Sequence, residues 1–249
     1  MKSASKLSRT TKRIIAVILV LFLWQAAAML IKQRILLVSP ADVLLRLTTI
    51  WQSDGFLGSI CFTCLHIAAG FFLGLILGLS LSFAASRYEW IEILIWPFVV
   101  TFKTVPVASI VVICLIWLSA GNLSVFISFL VVFPIIYQNL LSALKVKDTG
   151  LEEMAFIYKI HGVARLKAIT VPQIRAQLIS SCSVAAGMAW KAGVAAEIIG
   201  TPNGSVGKMI YISKMYLDTD DLLAWTVILV LLSIIFEKVF MWCLKKLLD

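Results

Sequence analysis

The stretch EEMAFIYKIHGVARLKAITVPQI, Glu152–Ile174, is a polar, helix-forming island in an otherwise apolar chain. Hydrophobic residues make up 61% of the 249 residues and charged residues only 14%, yet Lys145, Lys147, Asp148, Glu152, Glu153, Lys159, Arg165, Lys167 and Arg175 crowd around it. Two acids open the stretch, as acids do in a helix first turn. Leu151, Met154, Ala155 and Tyr158 keep the spacing of one apolar helix face, and Phe156, Ile157 and Ile160 form a second patch. Gly162 interrupts the helix, Val163, Leu166 and Ile169 resume a face, and Pro172 closes the segment. This pattern predicts a helix–break–helix across a membrane surface, with apolar side chains to spare. Such a patch, rimmed by charge, is either a docking surface or the lipid side of an amphipathic helix.

The flanking sequence fixes the class. A mean hydropathy of +1.00 excludes an ordinary soluble domain. Apolar runs long enough to cross a bilayer, about 18 residues, recur along the chain. Six spans follow: Ile14–Ile31, Cys61–Ala85, Ile91–Leu118, Leu123–Leu144, Ala176–Ile199 and Leu222–Leu244. The expected fold is an all-α polytopic membrane protein with six transmembrane helices. No alternating ten-residue pattern of a β-barrel is present. The net charge of +9 fits basic loops facing anionic lipid better than nucleic-acid binding.

Orientation follows from the loop cations. One set of span ends carries fourteen: Lys2, Lys6, Arg9, Lys12, Arg13, Arg87, Lys145, Lys147, Lys159, Arg165, Lys167, Arg175, Lys245 and Lys246. The other carries five: Lys32, Arg34, Arg46, Lys208 and Lys214. The richer set is expected inside, which puts both termini and the island in the cytoplasm. The first apolar segment, ending in AAAM at Ala26–Met29, is read as a retained helix rather than a cleaved signal.

Three further features carry structure. Ser39–Leu57 repeats Val43, Leu47, Ile50 and Trp51 at helical spacing, as in an amphipathic helix on the outer surface. Gly70, Gly74, Gly78 and Ser82 form a small-residue stripe, which permits close helix–helix packing in lipid. The third span, with Pro97, Lys103 and Pro106, is expected to be kinked, either bordering a pathway or packed within protein.

Ionisable groups at membrane depth are costly and usually functional. Lys103, Lys191 and Glu197 qualify, with His66 and Glu92 nearer span ends. The two lysines either line a pathway and favour an anionic solute, or one of them pairs with Glu197 in a structural ion pair. No metal set accompanies His66. Cys61, Cys64, Cys114, Cys182 and Cys243 all lie in apolar runs and read as packing residues. PNGSVGKM, Pro202–Met209, lacks the glycine and hydroxyl that a phosphate-binding loop needs. No nucleophile–base set marks an enzyme. No inverted repeat or polar ring marks a self-sufficient carrier or channel. No cofactor is expected.

Three segments, in order, resemble permease subunits of bacterial ABC importers of the nitrate/sulfonate/taurine type. The island resembles their cytoplasmic Glu-Ala-Ala loop: Glu153, Met154 and Ala155 take its first three places and Val171-Pro172 its last two. The loop's glycine position holds Lys159, and the nearest glycine is Gly162, so the break is expected to be displaced. WPFVVTFKTVPVASI with Ser119–Asn122 is similar to the family's proline-containing third span. Ala196, Glu197, Gly200, Gly204 and Gly207 are similar to its Ala-Glu…Gly…Gly segment.

The resemblance implies a type I importer permease in a bacterial inner membrane. Residues 59–249 would form the core, with a coupling loop over 148–173, and residues 1–58 an N-terminal tail, first helix and external helix. Glu153, Met154, Ala155, Ile157, Tyr158, Gly162 and Pro172 would dock on an ATPase. Lys103, Pro106, Lys191 and Glu197 would border the pathway. The implied partners are two ATPase copies, an extracytoplasmic binding protein and a second copy of the chain. The solute would be sulfonate-, nitrate- or taurine-like, or else a vitamin precursor.

Overall fold

A computed structural model describes residues 9–31, 33, 35–146 and 149–248. Lys2, Lys6, Lys32, Arg34, Lys147 and Asp148 lie outside the described residues, as do the side chains of Arg9, Glu152, Phe156 and Val163. The regular elements are helical: α1 (Arg9–Ile31), α2 (Pro40–Thr49), α3 (Phe56–Arg87), α4 (Glu89–Thr104), α5 (Val107–Cys114), α6 (Ala120–Lys145), α7 (Thr149–Ile157), α8 (Gly162–Arg165), α9 (Val171–Gly200), α10 (Val206–Met215) and α11 (Thr219–Leu248). No strand occurs among the described residues.

Five helical segments are long and apolar enough to cross a membrane, and the α4–α5 pair, bent by 104°, makes a sixth span if taken as one. The bend has a local cause. Pro106 has no N–H to donate and its ring clashes with the carbonyl four residues back. The residue before it is pushed out of the helical region, and Val105 is extended at ψ 130°. Pro97, by contrast, stays inside α4. The break therefore belongs to Pro106 and not to both prolines.

Pro172 does not close the island, contrary to the sequence reading. A π-turn, Leu166–Thr170, links α8 to α9, with the Val171 N–H bonded to the Leu166 carbonyl. Widening the turn just before the proline lets the chain pass it without a stop, as π-bulges do. The helix entering the membrane thus begins within the island.

The chain forms two compact units, residues 1–57 with 209–228, and residues 58–208 with 229–249. In the first, Ser39 caps α2 by accepting the Asp42 N–H, with Pro40 in the first turn. Val43 and Ile50 are buried and Leu47 half-buried, but Trp51 is exposed, off the face the sequence assigned it. Arg46 forms a two-pronged ion pair with Asp221 on α11, the Trp24 indole donates to the Val38 carbonyl, and Phe56 packs on Trp225.

In the second unit, α3, α6 and α9 approach closely through small residues. A Cβ on Gly74 would lie 2.8 Å from Val132, and one on Gly78 2.9 Å from Ile136. On Gly70 it would collide with the Val125 carbonyl. Across α6, Ala185, Ala186, Ala189 and Ala196 of α9 are fully buried, and Ser128 donates to the Ala189 carbonyl. Phe71 closes the unit against Phe236 and Phe240 of α11. Cys61 and Cys64 are free thiols on α3, as are the other three cysteines in their helices.

Candidate functional site: the surface loop and the charges of the bundle

The island takes its shape from two left-handed residues. At the end of α7 the Ile160 N–H reaches the Ala155 carbonyl and the Tyr158 N–H the Met154 carbonyl. That is a Schellman-type ending, which needs a left-handed residue just past the helix. Lys159 fills it at φ 52°, and Gly162 takes a second left-handed position at φ 60°. The break is therefore not displaced to Gly162; it begins at Lys159.

The turn buries Ala155 and leaves Met154, Ile157 and Tyr158 exposed, the last two at 73%. Met154 and Tyr158 thus part from Ala155, with which helical spacing had grouped them. Glu153, Gly162 and Pro172 are exposed, Leu151 is half-buried, and Ile169 and Ile174 anchor the return into α9. The loop presents an apolar patch beside an acid at its start and cations at its end.

The ends of α3, α4 and α6 gather at one end of this unit. Lys145 binds both oxygens of Glu92 at 2.5 and 2.6 Å. Arg87, Leu144 and Arg165 line a common cavity. Cations that the loop count put on one side of the membrane thus lie together.

The intramembrane charges separate. Lys103 on α4 donates to the Gln138 amide oxygen on α6. Lys191 is exposed on α9 and has no partner among the described residues. Glu197 is fully buried. Its carboxylate accepts from Thr63 of α3 at 2.8 Å and from the Gly207 N–H of α10 at 3.2 Å, and Thr63 accepts the Val206 N–H at 3.0 Å. No lysine among the described residues pairs with it: a hydroxyl and an amide at a helix start hold one carboxyl oxygen, and the other is buried without a hydrogen-bond partner among the described residues. Gly207 is required there, because a Cβ would collide with Glu197.

Sequence reasoning passed over a second intramembrane acid. Glu237 accepts from Ser183 at 2.5 Å and, with Lys238 and Lys245, lines a groove of about 540 Å³ between α9 and α11. The signal was the Glu-Lys pair inside the last apolar run.

Residues 70–248 match the family described as the binding-protein-dependent transport system inner membrane component. The chain belongs to that family. It is a multi-pass inner membrane permease of the ABC importer class, a transport component and not an enzyme, and its family works with an ATPase and a binding protein.

The permease is similar to a Bacillus subtilis protein named for aliphatic sulfonates transport, 23% identical over 84% of this chain and 76% of the relative. It is similar also to the taurine transport system permease of Escherichia coli, 22% identical over 86% of this chain and 80% of the relative. A third relative, the formylaminopyrimidine transport permease of Halalkalibacterium halodurans, is 24% identical over 75% of each chain.

Proposed function

We propose that this permease carries a small anionic solute of the sulfonate, nitrate or taurine type, delivered by an extracytoplasmic binding protein. The observation that carries this reading is Lys191, an exposed cation at bilayer depth with no partner among the described residues. A charge left so is costly unless it faces water or a ligand. Lys103, one bond from Gln138 and beside the Pro106 bend, supplies a second cation. Glu197 borders the pathway indirectly, by fixing α3, α9 and α10. The sulfonate and taurine relatives favour this solute class; the formylaminopyrimidine relative favours a vitamin precursor as the second reading.

The pathway forms between two copies of the chain. On α9, Ser180, Val184, Met188 and Lys191 make one exposed face, and Gly187 on it has open space where a Cβ would stand. Each copy docks one ATPase through Glu153, Met154, Ala155, Ile157, Tyr158 and Gly162, with Pro172 at the root of the loop. Both termini are cytoplasmic. Residues 59–249 form the core and residues 1–58 its N-terminal extension, with the coupling loop over 148–173.

Uptake into proteoliposomes holding the permease, its ATPase and its binding protein tests the solute charge. Lys191→Met and Lys103→Met are expected to slow uptake of a sulfonate or nitrate roughly tenfold, the equivalent of about 1.4 kcal/mol, with ATPase binding unchanged. Unaltered uptake by both variants refutes the anionic reading.

A further inference from the structure

The groove between α9 and α11 lies within the second unit, and Glu237 is the one acid lining it among the described residues. One carboxyl oxygen of Glu237 accepts the Ser183 hydroxyl, and no other bond to this carboxyl is made among the described residues. Lys238 lines the same groove, is exposed, and has no partner among the described residues. Glu237 stands about 16 Å from the Leu248 end of α11, at about 1.5 Å per residue. Both charges are thus at bilayer depth, where such groups are costly unless they face water or a ligand.

The groove adjoins the exposed face of α9. Ser180 and Val184 belong to both, and Lys191 lies two helical turns beyond Val184 on that face. If that face is the pathway wall, the route of an anion passes an acid with one open oxygen. A carboxylate repels a simple anion. A solute that also carries a protonated amine converts the repulsion into attraction. The groove's volume, about 540 Å³, is that of a small-molecule site.

We infer that the groove is a station for a small zwitterion. Glu237, held by Ser183, accepts from the solute's protonated amine, while the Lys238 ammonium meets its oxyanion. Among the anions of the preceding reading, this selects those that carry an amine and sets nitrate and plain sulfonates aside. The inference rests on that reading in one respect, the assignment of the α9 face to the pathway.

The test is equilibrium binding of isotope-labelled solute to the full chain in lipid nanodiscs. The binding protein is left out, so its own preference does not enter. The probes are 2-aminoethanesulfonate and ethanesulfonate, which differ by the amine. The parent is expected to bind the amine-bearing probe roughly tenfold tighter, as one charge-assisted bond provides. Glu237→Gln is expected to erase that advantage and leave ethanesulfonate binding unreduced. Glu237→Asp, a milder change that keeps the charge on a shorter arm, is expected to lose most of it. Lys191→Met is expected to weaken both probes equally. Failure of the parent to bind either probe overturns the inference. So does equal binding of the two, or an amine advantage that survives in the Glu237 variants that fold. If Lys191→Met weakens both probes but the amine confers no advantage, only this inference falls. If the advantage depends on Glu237 while Lys191→Met changes nothing, only the role given to Lys191 falls.

Discussion

Lys159 occupies a backbone region that L-residues other than glycine enter at a cost of about 1–2 kcal/mol, and it does so because the α7 ending requires a left-handed residue. Lys159→Gly should therefore stabilise the loop by about 1 kcal/mol, seen as slower hydrogen exchange at Tyr158 and Ile160. Faster exchange would contradict the turn geometry. Glu197 makes the opposite case. Thr63→Val keeps the shape but removes its hydroxyl donor, at an expected cost of about 1–3 kcal/mol, measured as a lower unfolding temperature in detergent. An unchanged temperature would mean that the Thr63–Glu197 bond carries no stability. The sequence marks Glu197 as an acid where acids are rare, but its partners are a threonine 134 positions away and one amide at a helix start. Those are ordinary residue types, and only the fold brings them together.

Among the elements, the small-residue stripe of α3 was legible because close packing in lipid leaves a four-residue signature, and Gly70, Gly74 and Gly78 lie against α6 of the same chain. Gly74→Leu should drive a side chain into Val132 and cost about 1–3 kcal/mol or more. Loss of the folded peak on size exclusion is the expected outcome; a well-folded, stable variant would contradict the contact. Proline was read less well. All of Pro97, Pro106 and Pro172 were expected to bend or end a helix; Pro106 breaks one, whereas Pro97 lies inside α4 and Pro172 follows a π-turn into α9. Proline's missing donor is a local fact. Whether the chain bends or absorbs it in a widened turn is decided by what packs around it. The external helix shows the same limit: periodicity put Trp51 with Val43 and Ile50, whereas a short 3₁₀ turn over Ile50–Gln52 rotates it outward.

At the scale of the whole molecule, the proposed coupling role of the surface loop rests on family membership and on the loop's exposed apolar face. A transport subunit that hydrolyses nothing must receive work through a contact with its ATPase, and the island offers an acid to orient and an apolar patch to bury. Interface energy concentrates in a few buried side chains, each worth about 2 kcal/mol or more. Among the described side chains, Ile157 and Tyr158 are the most exposed apolar residues of that patch, so a charge there attacks the proposed contact without touching the membrane spans. The decisive measurement is co-purification of the ATPase with Ile157→Asp and Tyr158→Asp, together with hydrolysis stimulated by the loaded binding protein. The account predicts variants that insert and fold normally but lose the ATPase and the stimulation. Variants that retain both at the parent level would show that the island is a lipid-surface helix and that coupling lies elsewhere.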